Sequence, residues 1–147
     1  MAEPVELLLV EDNPNDVELT LHVLKKHNLA NSIHVARDGA EALEILFGSL
    51  PDGAPRLMLL DLKLPKIDGL QVLGRVKGDP RTKTIPVVVL TSSREDRDLS
   101  ACYELGVNSY IVKPVDFAQF TAAVQQLSLY WLLLNEQPRA KGSRPST

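Results

Sequence analysis

Five short apolar runs, each separated from the next by a stretch of helical periodicity, constrain this chain more than any other feature of its sequence. They are VELLLV (5–10), SIHVA (32–36), RLMLLD (56–61), PVVVLT (86–91) and SYIVK (109–113). Most lack polar alternation, so they are expected to be strands covered on both faces. The helical segments between them carry start and stop signals. Asn13 is placed as an N-cap, Pro14 at the first helical position and Asp16 near the positive helix end, with Val17, Leu21 and Leu24 as one apolar stripe. Asp38 precedes GAEALEILFG, Asp68 precedes GLQVLGRVKG, and the segment 95–105 ends at Gly106, so three helices are expected to stop at a glycine in the left-handed cap conformation. Gly74, inside the third segment, has no explanation at this level.

Strand and helix alternate, and right-handed crossovers turn such a string into a parallel sheet. The expected fold is α/β, a doubly wound five-stranded parallel sheet of flavodoxin-like order 2-1-3-4-5 with helices on both faces. At 147 residues there is room for one domain, placed at 1–136 with an extended last helix, and a disordered tail is expected at 137–147. No separate output domain is expected after the last helix. Apolar residues make up 44% and charged residues 24%, as in ordinary soluble proteins. The formal charge of −3 offers no broad basic field for nucleic acid. No run is long enough to span a membrane, no signal peptide opens the chain, and the lone Cys102 cannot form an internal disulfide, so a cytoplasmic protein is expected.

Asp61 is the residue that needs explaining, because it ends a run that should be wholly buried. Doubly wound sheets bind ligands beyond the carboxyl ends of their strands. Asp61 stands at such an end. The first strand ends in Glu11 and Asp12, the fourth in Thr91, and the fifth in Lys113 before Pro114, which is read as a candidate cis turn. In the expected strand order these groups converge. Three crowded carboxylates repel and call for a hard cation; Mg²⁺ suits oxygen ligands and phosphate. Lys113 and Thr91 offer an ammonium and a hydroxyl to phosphoryl oxygens, so the set reads as a phosphoryl-transfer site in which a carboxylate attacks phosphorus. Any one of these polar residues could simply mark where a strand meets water; four strand ends together do not. His22, His27 and His34 share no metal-ligand spacing, and Cys102 is assigned to the core with Leu99 and Leu105.

The segments LLVEDN, LLDLKLPKIDG, VVVLTSS and YIVKP resemble, in order and spacing, the receiver domain of two-component response regulators, over residues 5 to about 134. The resemblance implies Asp61 as phosphoacceptor, Asp12 as direct metal ligand, Glu11 as an acid acting mainly through water, and the backbone carbonyl of Lys63 as a further ligand. It also implies that Thr91 and Lys113 contact the phosphoryl group and that Tyr110 is an aromatic switch that follows Thr91. A histidine kinase is the implied partner. VEDNPNDVELT and KPVDFAQFTAAVQQLSLYWLLLNEQP resemble, more narrowly, the single-domain regulators that accompany bacterial phytochrome kinases. Lys63 and Ser93 flank the expected path of hydrolytic water.

Phe117, Phe120, Val124, Leu127, Trp131 and Leu134 form the sheet-facing stripe of the last helix. Leu129, Tyr130, Leu132 and Leu133 add apolar surface on its other sides, which points to a homodimer with Leu129, Tyr130, Trp131 and Leu133 in the contact. Three other readings compete. A phosphatase of the haloacid dehalogenase type also uses a nucleophilic Asp but wants a second one where Lys63 stands. A nucleotide or flavin module would need a Gly-rich loop where VEDNPND stands. A stand-alone receiver of a non-phytochrome kinase differs only in partner.

Overall fold

The computed structural model describes residues 7–26, 32–49, 55–114, 116 and 118–126. Strands β1 (Leu7–Val10), β2 (Ile33–Ala36), β3 (Leu57–Leu60), β4 (Val87–Thr91) and β5 (Ser109–Val112) form one sheet in the order β2-β1-β3-β4-β5. All neighbours are parallel, with Val10 opposite both Ala36 and Leu60, Leu60 opposite Val89, and Thr91 opposite Val112. Helices α1 (Pro14–Lys26), α2 (Gly39–Glu44), α3 (Gly69–Lys77), α4 (Asp96–Leu105) and α5 (118–126) connect and follow them. α2 runs on into a wider π turn at Ile45–Ser49.

The strand period of two divides the apolar runs between two cores. Leu8, Val10, Met58, Leu60, Val87 and Val89 pack with Ala42, Val72, Leu73, Val76 and Cys102 from α2, α3 and α4. Leu7, Leu9, Leu57, Leu59, Val88 and Leu90 face Val17, Val23 and Leu24 of α1 and Phe120 and Val124 of α5. Two covered faces explain why β1, β3 and β4 are apolar without alternation. Each such side chain contributes roughly 1.5–3 kcal/mol on full burial. The edge strands β2 and β5 are only partly buried.

The helix starts form as their sequences imply. Asn13 Oδ1 accepts from the amides of Asn15 and Asp16, Asp38 Oδ1 accepts from Glu41 N, and Asp68 and Gln71 form a reciprocal capping box. The stops differ. Gly106 takes the left-handed conformation at φ 100° and ends α4, but Gly78 closes α3 at φ −90° and Gly48 lies inside the π turn. Leu99 is exposed, so the apolar side of α4 rests on Cys102 and Leu105 alone. His22 and His34 are exposed, as surface residues should be. His27, Phe117, Leu127, Leu134 and the dimer candidates Leu129, Tyr130, Trp131 and Leu133 lie outside the described residues, as does the expected tail.

Gly69 positions the loop that carries Asp61. A Cβ there would sit 2.3 Å from the Asp61 carbonyl oxygen and 2.5 Å from Leu62 Cα, while the Gly69 amide donates to Leu62 O at 2.9 Å. Because the obstruction is backbone, Gly69→Ala is expected to lower unfolding stability by roughly 1–3 kcal/mol, the usual range for overpacking. A urea midpoint unchanged from wild type would contradict this. A Cβ at Gly74, by contrast, would meet nothing within 4 Å, so no close approach accounts for that glycine.

Candidate functional site

The parallel sheet brings the carboxyl ends of four strands to one edge, β1 level with β3 and both β4 and β5 running two residues further. Asp61 follows β3, and its amide still donates to Val10 O at 3.0 Å, so its backbone belongs to the ladder while its side chain leaves it. Glu11 follows β1 and is tied to β2 in the same way, through its amide to Ala36 O at 2.9 Å. Thr91 ends β4, and its carbonyl accepts from the Lys113 amide at 2.8 Å. Lys113 leads into the Lys113–Pro114 peptide, which is cis as expected.

The Lys113 ammonium organises the crevice. It donates to Glu11 Oε1 and to Asp16 Oδ2, both at 2.8 Å, and faces Asp61 Oδ2 at 3.4 Å. Asp61 Oδ1 accepts from the Lys63 amide at 3.2 Å, and Glu11 Oε2 from the Asn13 amide at 3.2 Å. The Glu11 and Asp61 side chains are only 4% and 8% exposed, so both carboxylates have lost most of their hydration. For Glu11 that loss is the dominant effect. Burial, helped by the negative Asp61 and opposed by the Lys113 hydrogen bond, pushes its carboxyl up to about 7. Burial also works against the Lys113 charge, but the hydrogen bonds to Asp16 and Glu11 and the neighbouring acids outweigh it and raise its pKa.

Carboxylate oxygens of Glu11, Asp12 and Asp61 lie within 4.8 Å of one another, Asp12 from an exposed position. Asp16 adds a fourth carboxylate beside them, and three of the four, Glu11, Asp16 and Asp61, face the one ammonium. An all-oxygen set carrying that excess of negative charge suits a hard divalent cation, which would relieve the repulsion that burial intensifies. The residues present therefore fit a metal. Lys63 itself is exposed, and its amide holds Asp61.

Thr91 is fully buried, and its hydroxyl oxygen accepts from the Ser93 amide at 3.3 Å. Ser93 is a junction. Its carbonyl accepts from the Tyr110 hydroxyl at 3.1 Å, and its own hydroxyl donates to Asp98 Oδ2 at 2.5 Å. Glu11, Asp12, Asp61, Thr91, Lys113 and Tyr110 are all visible in the sequence, and the structure places all six at the carboxyl end of the sheet or beside it. The pairing of Asp16 with Lys113 and the junction role of Ser93 are not. The one sign of the first is an acid in the first turn of α1, just past the acidic pair.

The chain matches the response regulator receiver domain family over residues 7–125. Among solved structures, the bacteriophytochrome response regulator AtBRR is 56% identical, with 91% of this chain and 99% of that one covered and a TM-score of 0.75. The Mn²⁺-bound form of response regulator Rcp1 is 41% identical over 88% of this chain and 95% of that one, at a TM-score of 0.73. Rcp1 from Synechocystis sp. is likewise 40% identical to this sequence across 88% of this chain and 90% of its own length. A further relative, described as "Probable methanogenesis regulatory protein FilR2" from Methanothrix harundinacea, is 41% identical over 92% of this chain and 89% of its own.

Proposed function

Because this chain belongs to the response regulator receiver domain family, the phosphoacceptors of two-component signalling, we propose that Asp61 takes a phosphoryl group from a histidine kinase and that the protein passes the signal on by protein contact. The observation that carries the reading is the Lys113 ammonium shared among Glu11, Asp16 and Asp61 beside three clustered carboxylates. In the transfer, an Asp61 oxygen bonds to phosphorus as the bond from phosphorus to the kinase histidine nitrogen breaks. The product is an acyl phosphate. Lys113 is the cation that turns a donor from Asp61 Oδ2 to a phosphoryl oxygen, and Thr91 offers its hydroxyl to another. Mg²⁺, held by Asp12 and Asp61 directly, by the Lys63 carbonyl, and by Glu11 through water, would supply further positive charge on the phosphoryl oxygens.

The signal leaves through Ser93. A shift of Thr91 toward the phosphoryl group pulls on the residue whose carbonyl holds Tyr110, so the aromatic responds to a group it does not touch. The chain is a phosphoacceptor that assists its own phosphorylation and dephosphorylation rather than an enzyme with a separate substrate. No helix among the described residues is long and apolar enough to cross a membrane, and a cytoplasmic setting fits a kinase partner.

A bacterial phytochrome is the kinase that the similarity to AtBRR and Rcp1 favours. The FilR2 likeness supports a second reading, a different sensor kinase with the same chemistry. Phosphotransfer from a panel of purified phosphorylated kinases decides between them: transfer within seconds from a phytochrome kinase supports the first, and faster transfer from another kinase the second. Transfer from none contradicts the function itself. A homodimer through Leu129, Tyr130, Trp131 and Leu133 is supported by a sequence in which Ser128 is the only polar residue from 127 to 134. Leu133→Glu with Tyr130→Glu is expected to give a monomer in sedimentation that still accepts phosphate. A wild type that is monomeric at tens of micromolar, phosphorylated or not, would refute it.

A further inference from the structure

Asp16 belongs to α1, and its place in the first turn needs no more than the helix dipole to explain it. Yet its Oδ2 is 2.8 Å from Lys113 Nζ, as close as Glu11 and closer than Asp61 at 3.4 Å. An ammonium has three N–H donors, and here three carboxylates surround it. Two of the three have other work in the proposed function. Asp61 becomes phosphorylated, and Glu11 is one of the acids that would hold the cation. Asp16 stands outside the cluster of Glu11, Asp12 and Asp61, so neither event removes it. At 35% side-chain exposure it is also more open to solvent than Glu11 and Asp61, at 4% and 8%.

We infer that Asp16 is a positioning residue for phosphoryl transfer. Its carboxylate engages one donor of Lys113 before and after phosphorylation, which leaves the donor now facing Asp61 as the one presented to a phosphoryl oxygen. Lysine is a point charge on a flexible four-carbon stem, so a fixed counter-charge decides where its donors point. The inference rests on Asp61 being the phosphoacceptor.

The test is a double-mutant cycle on the full chain with acetyl phosphate and saturating Mg²⁺. Asp16→Asn keeps the shape and the helix start but loses the charge, and should slow phosphorylation by about threefold to tenfold, with Asp16→Glu recovering most of the loss. In a Lys113→Met background, Asp16→Asn should change the residual rate by less than about twofold, because the residue acts only through the ammonium. A wild-type rate in Asp16→Asn, or an equal loss in both backgrounds, would overturn the inference. A wild type that takes up no phosphate would instead overturn the proposed function. The ammonium itself gives an independent readout: its ¹⁵N resonance in the metal-free protein should shift in Asp16→Asn, and an unshifted resonance would show that the bond does no positioning.

Discussion

Lys113→Met should slow phosphorylation of the chain by about a hundredfold or more, on the order of what an electrostatic contact at a developing charge is worth. Methionine keeps the length of the stem and removes the charge, so the packing change is small. The electrostatic change is large: Glu11 and Asp61, both nearly buried, lose the only cation that touches them among the described residues. The metal-free variant should therefore be less stable than wild type, with Mg²⁺ restoring more stability than it does in wild type. Kinetics with acetyl phosphate and melting with and without Mg²⁺ measure both. A variant phosphorylated at the wild-type rate would show that Lys113 only satisfies its acidic neighbours.

The second large effect is on metal affinity. Asp12→Ala should weaken Mg²⁺ binding by about a hundredfold and Glu11→Ala by about tenfold, since the first loses a direct ligand and the second a contact through water. Removing Glu11 has a compensating effect. Its carboxyl is pushed up to about 7 by burial and by Asp61, so keeping it charged near neutral pH costs the fold stability. Its neutral variant should thus be at least as stable as wild type without metal. Calorimetric titration gives the affinities. Equal Mg²⁺ affinity in Asp12→Ala and wild type would contradict the ligand assignment.

The core of the fold is legible in the sequence because its signals are local. Leu7–Val10, Leu57–Leu60 and Val87–Thr91 have no polar alternation, as suits strands covered on both faces, and the helical segments between them make the sheet parallel. Strand order then brings Glu11, Asp61, Thr91 and Lys113 to one end without any knowledge of contacts. What stays hidden depends on pairing across the chain. Asp16 and Lys113 meet over 97 residues of separation, and nothing in α1 alone distinguishes an acid serving the helix dipole from one serving a lysine that follows β5. Gly78 illustrates another limit. Its residue type suits a left-handed cap, but the chain instead continues at φ −90°, with Thr82 Oγ1 donating to Val76 O at 2.7 Å to satisfy the end of α3. Spacing alone puts Leu99 in the core, yet it lies near the start of a helix that begins beyond the end of β4, where the sheet offers less cover. Gly69 carries no visible signal, because the backbone it must approach is defined only once the loop after β3 is folded.

If the Asp61 carboxylate is the acceptor, peptide mapping will find the phosphoryl group there. After incubation with acetyl phosphate and Mg²⁺, borohydride reduction converts an aspartyl phosphate to homoserine and marks the residue that carried it. The mark is expected at Asp61, with none there and little elsewhere in Asp61→Asn, which keeps the size of the side chain and removes the nucleophile. A mark at another residue in wild type, or uptake by Asp61→Asn at the wild-type level, would contradict it.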